Sequence, residues 1–295
     1  MIDLTCDPLE TLRERTSAKW TTFPGDVLPL FVAEMDFPIA APISDAIIAR
    51  VRASDTGYVG SPEPLGAAFA GFAARVWGWQ VDPARVRTTT DVSVAIVETL
   101  RRVIDPGDGV IITPPVYPPF FDLVPEGGGT LVEVPLVEVP LVEGSAAHSL
   151  DLAGIEAAFA AGARALLLCN PHNPLGLVHS RASLEALAEL ADHYGATVVS
   201  DEIHAPLVHS GVQFHPFLSV SDAARERGVC VTSASKGWKV AGTKCAIRGA
   251  ASDRAVATLD SMPYEVNFRT SLLGLHASVA AFEQCGPWLD AAVRA

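Results

Sequence analysis

The sequence predicts an α/β fold built on a mostly parallel sheet. Short runs rich in β-branched and aliphatic residues alternate with amphipathic stretches, which is typical of strands joined by helical crossovers. Reactive side chains follow several of these runs directly, as expected where an open sheet forms a site at its carboxyl edge. The chain has 295 residues, of which 49% are hydrophobic and 19% are charged. It can therefore bury a large core, and one large domain plus a partial second domain fits best.

The predicted strands share a short apolar run that is bounded by polar residues. They are residues 110–113, 131–134, 165–169, 197–200, 229–232 and 245–248. The clearest predicted helices, in which apolar residues recur at helical spacing, are residues 92–104, 152–161 and 181–194. A set of separate hairpins would require tight turn signals between successive strands. The alternation of helix and strand therefore favours the parallel arrangement, with helices on both faces of the sheet.

A short repeat stands out between the second and third predicted strands. Residues 132–143 read Val-Glu-Val-Pro-Leu-Val-Glu-Val-Pro-Leu-Val-Glu. A proline in each copy disfavours two consecutive central strands, because proline cannot donate a hydrogen bond to a sheet ladder. We predict that the second copy forms a small surface insertion.

Charge and cysteine content limit the classes of function. The formal net charge of −13 is spread along the chain, which argues against binding to nucleic acid or to an anionic membrane surface. A small-molecule substrate is the expected partner. The five cysteines are widely spaced and show no metal-ligand pattern, so we expect a reducing cytoplasm and no structural metal. The N-terminal residues lack a signal-peptide layout, and no apolar run reaches the ~18 residues of a membrane span.

Lys236 is the strongest candidate for a catalytic residue. It lies in Ser233-Ala-Ser-Lys236, directly after a predicted strand. An amine in a partly desolvated pocket can lose its proton near neutral pH and condense with an aldehyde to form a Schiff base. A lysine in this position is more often a solvated surface charge. The neighbouring serines, which can donate to a phosphate, favour the reactive role.

Asp201 and His204 follow the preceding predicted strand, residues 197–200, in Ser200-Asp-Glu-Ile-His204. A carboxylate aimed at a pyridine nitrogen keeps that ring protonated, and a protonated ring stabilises a carbanion at the α-carbon of a substrate. Asp201 could instead simply cap a helix. His204 could reach the phenolate oxygen of such a ring or tune the aspartate, and a purely structural histidine is an equal alternative.

Further candidates are binding groups for a phosphorylated ring. Asn173 lies in Asn170-Pro-His-Asn-Pro174, a strong turn signal, and its amide could donate to a phenolate oxygen. Thr89-Thr-Asp-Val-Ser93 opens a predicted helix, so the backbone amides of its first turn could bind a phosphate, although an ordinary helix cap fits equally well.

Two tyrosines and a second lysine complete the candidate set. Tyr117 could stack on a planar ring, Tyr58 could donate to a phosphate, and Lys244 could add a second positive charge near that phosphate. Each of them could also be an ordinary tyrosine or surface lysine. Other motif classes are absent: Glu126-Gly-Gly-Gly129 has no helix behind it, and the sequence has neither a GxSxG elbow nor an HExxH motif.

Taken in order, these motifs resemble the fold-type I pyridoxal-phosphate enzymes of the class I/II aminotransferase superfamily, especially the cystathionine β-lyase or C-S lyase branch. The resemblance spans nearly the whole chain. It rests on Phe31-Val-Ala-Glu-Met-Asp-Phe37, Gly57-Tyr58, Pro115-Val-Tyr117, Asn170-Pro-His-Asn-Pro174, Ser200-Asp-Glu-Ile-His204 and Ser233-Ala-Ser-Lys236. Each motif alone is weak, whereas their common order is specific.

The resemblance implies a role for each candidate residue toward pyridoxal 5'-phosphate. Lys236 would form the Schiff base, Asp201 would pair with the pyridine nitrogen, and Asn173 would bond the phenolate oxygen. His204 is included among the cofactor contacts, and Tyr117 would stack on the ring. Phosphate contacts would come from Val92, Ser93, Ser233 and Lys244, and from Tyr58 of a neighbouring subunit, which implies a homodimer.

The resemblance also implies an aminotransferase-like domain organisation. Residues 1–45 would contribute to a small domain, residues 46–268 would form the cofactor-binding large domain, and residues 269–295 would begin an interdomain helix, leaving the small domain incomplete. The arginine that binds the substrate carboxylate in relatives has no counterpart here. Asp91 also replaces a glycine common in the phosphate turn, and its charge would oppose a phosphate unless it caps the helix; Leu175 replaces a common threonine.

The reaction implied is α,β-elimination from a sulfur amino acid such as cystathionine, giving a thiol, pyruvate and ammonia. Lys236 would act as the general base on the α-proton. Two alternatives stay open at this point. One is a pyridoxal-phosphate aminotransferase, which uses the same lysine and ring chemistry. The other is a truncated, non-catalytic remnant that acts only through interactions.

Overall fold

The structure is a computed structural model that describes residues 2–139 and 148–295. Its strands are β1 Val86–Thr89, β2 Gly109–Ile112, β3 Thr130–Glu133, β4 Val137–Glu138, β5 His148–Ser149, β6 Ala165–Cys169, β7 Thr197–Asp201, β8 Gly228–Thr232 and β9 Ala246–Gly249. Its helices are α1 Leu9–Arg13, α2 Ala18–Thr21, α3 Ala41–Arg52, α4 Glu63–Trp77, α5 Val92–Val103, α6 Phe120–Glu126, α7 Leu152–Ala160, α8 Arg181–Tyr194, α9 Asp222–Arg227, α10 Asp253–Asp260, α11 Glu265–Phe268, α12 Leu272–Gln284 and α13 Gly286–Arg294.

Strands of the main sheet follow the order β1-β9-β8-β7-β6-β2-β3. Neighbouring strands from β8 across to β3 pair in parallel, namely β8–β7, β7–β6, β6–β2 and β2–β3. Strand β9 pairs antiparallel with both β8 and β1. All residues of β6, β7 and β8 are buried, as expected for central parallel strands covered on both faces. The predicted α/β class with a mostly parallel, mixed sheet is confirmed.

Two separate hydrophobic cores lie on opposite faces of the sheet. Alternate residues of β6 belong to different cores: Leu166 and Leu168 pack in the first, and Leu167 and Cys169 pack in the second. Helices α4, α8 and α12 supply the first core, whereas α5, α6 and α10 supply the second. This alternation is the period-two pattern of a strand. It confirms the prediction of helices on both faces.

Most predicted elements lie within one or two residues of their observed positions. The sequence interpretation missed β1, a short edge strand that contains Arg87, and the small β4–β5 ladder. β4 begins the second copy of the repeat, and both of its residues are exposed. The rest of the predicted insertion, residues 140–143, lies outside the described residues. The division into segments 1–45, 46–268 and 269–295 stays a prediction.

Helix caps fix where the site-forming segments begin. The Asp91 side chain accepts a hydrogen bond from the Val94 N–H and caps α5, and Ser180 caps α8 in the same way. Gly195 ends α8 in a left-handed conformation, with φ of +68°, that leads directly into β7. Within the two described ranges, every helix is too short or too polar to cross a lipid bilayer.

Candidate active site

A cavity of about 500 Å³ lies at the carboxyl ends of the parallel strands. Its walls come from the N-terminal segment, the first turn of α5, and the loops after β2, β6, β7 and β8. The predicted site residues that line it are Val92, Ser93, Tyr117, Asn173, Asp201, His204, Lys236 and Lys244. The sheet topology therefore brings together eight candidates that are spread over more than half of the sequence.

Lys236 projects from the turn after β8 and is half-buried. Its Nζ donates a hydrogen bond of 3.3 Å to the carbonyl oxygen of Ala33. Burial lowers the pKa of Lys236, and the carboxylates of Asp201 and Glu34 partly oppose this effect. The amine is therefore more readily deprotonated than a surface lysine, as a nucleophile or a general base requires.

Asp201 ends β7 and is 5% exposed, although it lines the cavity. Its Oδ1 accepts a 3.1 Å hydrogen bond from the Ile203 N–H. Burial raises the pKa of Asp201 to about 7, while that hydrogen bond and the Lys236 charge act in the opposite direction. A carboxyl group with this pKa is strongly favoured in its ionised form once a cation is placed against it.

Two further side chains around Asp201 are kept neutral by the cavity. Burial, and secondarily the positive charge of Lys236, lower the pKa of His204 to about 4. Burial also raises the pKa of the Cys169 thiol, and the Asp201 charge adds to this shift. His204 is therefore a neutral imidazole near pH 7, and Cys169 is a thiol rather than a thiolate.

Asn173 and Tyr117 form part of the wall. The backbone N–H of Asn173 donates to Cys169 Sγ at 3.2 Å, which fixes the loop after β6 against the end of that strand. The ring of Tyr117 meets Phe120 edge-on, with centroids 6.0 Å apart. Burial, followed by the charge of Asp201, raises the pKa of Tyr117. Tyr117 therefore presents a neutral aromatic ring to the cavity.

Another part of the cavity wall combines the start of α5 and Lys244 with the carboxylate of Asp91. Val92 and Ser93 open α5, whose first-turn amides point outward from the helix. The Lys244 Nζ lies 3.0 Å from Asp91 Oδ2, while Asp91 Oδ1 accepts the Val94 N–H at 2.9 Å. Asp91 therefore caps α5, which is the role expected if a negative charge is to be tolerated at this position.

Two candidates from the sequence do not line this cavity. Ser233 is buried and donates to the Cys245 carbonyl at 2.7 Å, while its oxygen accepts the Ser235 N–H at 3.1 Å. Ser235, two residues further, lines the cavity, and the phosphate contact assigned to Ser233 stays a prediction. Tyr58 is 83% exposed and contacts Phe268. Its contact with the phosphate of a neighbouring subunit stays a prediction.

The sequence interpretation also missed parts of the wall. Phe31, Val32 and Ala33 reach the cavity from the N-terminal segment, which had served only as a family motif. Directly behind Asp201, the buried Glu202 accepts hydrogen bonds from the Phe217 N–H at 2.7 Å and the Ser200 hydroxyl at 3.0 Å. The sequence did offer a signal for this network, because Glu202 directly follows the predicted site residue Asp201.

Comparison with known proteins places the chain in a family. The family described as aminotransferase class I and II matches residues 54–291. A Mycobacterium leprae protein with the provisional name cystathionine beta-lyase is 44% identical, over 96% of this chain and 70% of its own length. The cystathionine beta-lyase of Corynebacterium glutamicum is 35% identical, over 97% of this chain and 74% of its own length.

Solved structures agree with this assignment. A Corynebacterium diphtheriae crystal structure, provisionally described as a PLP-dependent beta-cystathionase, superposes with a TM-score of 0.90 and 33% sequence identity. The match covers 99% of this chain and 74% of that one. The family inferred from the ordered motifs is confirmed: the chain belongs to the aminotransferase class I and II family.

Proposed function

We propose that this chain is a pyridoxal-phosphate-dependent carbon–sulfur β-lyase that acts on a sulfur amino acid of the cystathionine type. The observation that carries the proposal is the single cavity in which Lys236, Asp201 and the first turn of α5 meet. The lyase names of the two relatives and the description of the Corynebacterium diphtheriae structure support it.

The groups that line the cavity match the chemistry of this cofactor. Its aldehyde requires an amine, its pyridine nitrogen a carboxylate, and its phosphate backbone amides and a cation. The residues that would hold it are Lys236 at the aldehyde, Asp201 at the ring nitrogen, Asn173 at the phenolate oxygen, Tyr117 on the ring face, and Val92, Ser93, Ser235 and Lys244 at the phosphate. When bound, the cofactor supplies a protonated ring that accepts the electron pair released at the substrate α-carbon.

Proton transfer is the work of the protein itself. Burial lowers the pKa of Lys236, so its amine loses its proton more readily than an ordinary lysine and is better suited to act as a base. We assign removal of the α-proton to Lys236 Nζ. The Cβ–S bond then breaks, the thiolate leaves with a proton, and one water converts the remaining three-carbon unit to pyruvate and ammonium. His204, whose pKa is lowered to about 4, and the protonated Cys169 thiol are too weakly basic to compete for that proton.

The covalent site can be tested directly. The protein is incubated with pyridoxal phosphate, treated with borohydride and digested, and the modified peptide is identified by mass spectrometry. Modification at Lys236 is expected, together with its loss in Lys236→Ala. Lys239→Met is the matched control, because Lys239 is bonded to the Phe37 carbonyl at 2.7 Å and does not line the main cavity. Modification that survives in Lys236→Ala would contradict the assignment.

A separate assay distinguishes elimination from transamination. With cystathionine as the substrate and no keto acid present, a β-lyase releases pyruvate and thiol in equal amounts. An aminotransferase would require an added keto acid and would release no thiol. Equimolar pyruvate and thiol, absent in Lys236→Ala, is the expected result.

The proposal includes a homodimer in a reducing, cytoplasmic compartment. All five cysteines are free, and four of them are buried. Phe31 lines the cavity yet is 52% exposed, and Leu30 and Tyr58 are 82% and 83% exposed. Apolar and aromatic surface of this kind beside a site favours coverage by a second copy.

Mixing two damaged chains tests the shared site. If Tyr58 acts on the site of the partner, Lys236→Ala and Tyr58→Phe chains should each have low activity. Unfolding and refolding them together should then restore activity, because one site of the mixed dimer has both intact residues. A mixture no more active than the average of its components would refute the shared arrangement.

A further inference from the structure

The start of α5, where the phosphate is proposed to bind, carries the negative charge of Asp91. Asp91 uses both carboxylate oxygens: Oδ1 accepts the Val94 N–H at 2.9 Å, and Oδ2 lies 3.0 Å from Lys244 Nζ. Both residues line the cavity beside Val92 and Ser93. The bond to Val94 fixes the carboxylate at the start of α5, so it remains there whatever Lys244 contacts.

This arrangement changes the charge that an incoming phosphate meets. Lys244 alone would contribute one positive charge, but the Asp91–Lys244 ion pair contributes none. A phosphate ester carries between one and two negative charges near neutral pH. The uncompensated attraction therefore comes from the backbone amides of α5 and from the helix dipole, which are weaker than a full charge.

We propose that Asp91 limits the affinity of this site for the phosphate group of the cofactor and thereby sets how readily the cofactor exchanges. The proposal rests on the proposed function, because it assumes that the phosphate of a pyridoxal phosphate binds at the first turn of α5. It assigns Asp91 a role beyond helix capping. Asparagine at this position would cap α5 equally well but would leave the Lys244 charge free for the phosphate.

Charge-swap variants separate this role from capping. The net charge of the pair is zero in the wild type, positive in Asp91→Asn, negative in Lys244→Gln, and zero again in the double variant. The affinity for pyridoxal phosphate should rise with this net charge. It should be highest in Asp91→Asn, lowest in Lys244→Gln, and intermediate in the wild type and the double variant. The pair is partly exposed, with side chains 33% and 55% accessible, so each single change should shift the dissociation constant by about three- to tenfold.

The experiment is an absorbance titration of each apoprotein with pyridoxal phosphate and, in parallel, with pyridoxal. We expect Asp91→Asn to bind pyridoxal phosphate more tightly, Lys244→Gln to bind it more weakly, and the double variant to lie close to the wild type. Pyridoxal, which lacks the phosphate, should bind all four proteins alike. The differences should shrink at about 1 M monovalent salt, because exposed charges are then screened.

Asp151→Asn is the matched control. Asp151 caps α7 through a 3.0 Å bond from the Gly154 N–H and does not line the cavity, so its variant should leave both affinities unchanged. Equal or weaker binding of pyridoxal phosphate by Asp91→Asn, or equal tightening for pyridoxal, would overturn the inference. A wild-type protein that binds neither compound would instead overturn the proposed function, and the inference with it.

Discussion

Lys236 Nζ and the carbonyl oxygen of Ala33 are 3.3 Å apart, so the N-terminal segment contacts the proposed catalytic amine directly. The next residue, Glu34, is held by a 2.6 Å hydrogen bond from the Ser17 hydroxyl, and its charge raises the pKa of Lys236 against the effect of burial. The segment therefore positions the amine and also influences its protonation.

Replacing Glu34 should make Lys236 more reactive at any pH below the pKa of Lys236. In Glu34→Gln the carboxylate that favours the ammonium form is lost, so the pKa of Lys236 falls further and the free-amine fraction rises. We expect the pH profile of covalent pyridoxal-phosphate attachment to move to lower pH. Glu10→Gln, at an exposed position in α1, is the control. A profile that moves to higher pH would show that Glu34 acts in another way.

Asp201→Asn should stabilise the apoprotein increasingly as the pH rises. The folded-state pKa of about 7 lies above the ordinary value of 3.8. A raised carboxyl pKa contributes stability that is fully present below about pH 4 and is lost as the pH rises through about 7. Asparagine does not titrate, so this loss disappears, with a gain of a few kcal/mol at most.

Urea unfolding of the wild type and of Asp201→Asn at about pH 5 and about pH 8 measures this dependence. Glu202, whose pKa burial also raises to about 7, keeps some pH dependence in both proteins. The stability difference between them should therefore grow with pH. An equal difference at both pH values would mean that Asp201 is not the group responsible.

Glu202→Ala should destabilise the fold strongly, whereas Glu202→Gln should be much milder. Alanine leaves the Phe217 N–H and the Ser200 hydroxyl unpaired in a buried site, which costs about 3 kcal/mol or more. Both groups donate to Oε1 of Glu202, so a glutamine carbonyl oxygen at that position can still accept from both. The free energy of unfolding in urea measures the effect, and Glu189→Ala on the exposed side of α8 is the control. Equal losses in the alanine and glutamine variants would contradict the hydrogen-bond argument.

Gly274→Ala should weaken cofactor binding from a distance. A Cβ on Gly274 in α12 would overlap the carbonyl oxygen of Thr243, the residue before Lys244. The turn that carries Lys244 must then shift, at a cost of about 2 kcal/mol in stability and with weaker binding of pyridoxal phosphate. Gly286→Ala is the matched control, since an added Cβ there meets no atom within 4 Å. Unchanged binding in Gly274→Ala would show that the turn adapts without moving Lys244.

The sequence predicted the central strands because they are continuous apolar runs, and it predicted most of the cavity because parallel strands end at one edge. It could not distinguish Ser233 from Ser235, since both follow β8 and only the fold decides which one bonds to the Cys245 carbonyl. The edge strand β1 lacked a signal, because Arg87 interrupts a run of only four residues.

Long-range packing explains the remaining omission. Nothing in the composition of Phe31-Val-Ala33 indicates that this segment approaches a turn near the other end of the chain. The ion pair between Asp91 and Lys244 could not be predicted for the same reason, because it requires α5 and the turn before β9 to meet.

The contact between Ala33 and Lys236 joins residues 203 positions apart. A long loop must close before this contact can form, so we expect the contact to form late in folding, after local structure. Fragments or partly folded chains would therefore expose Lys236 as an ordinary surface amine. Uptake of the cofactor becomes a marker of complete folding, and in a refolding experiment its absorbance should recover no earlier than the tertiary signal of the aromatic core.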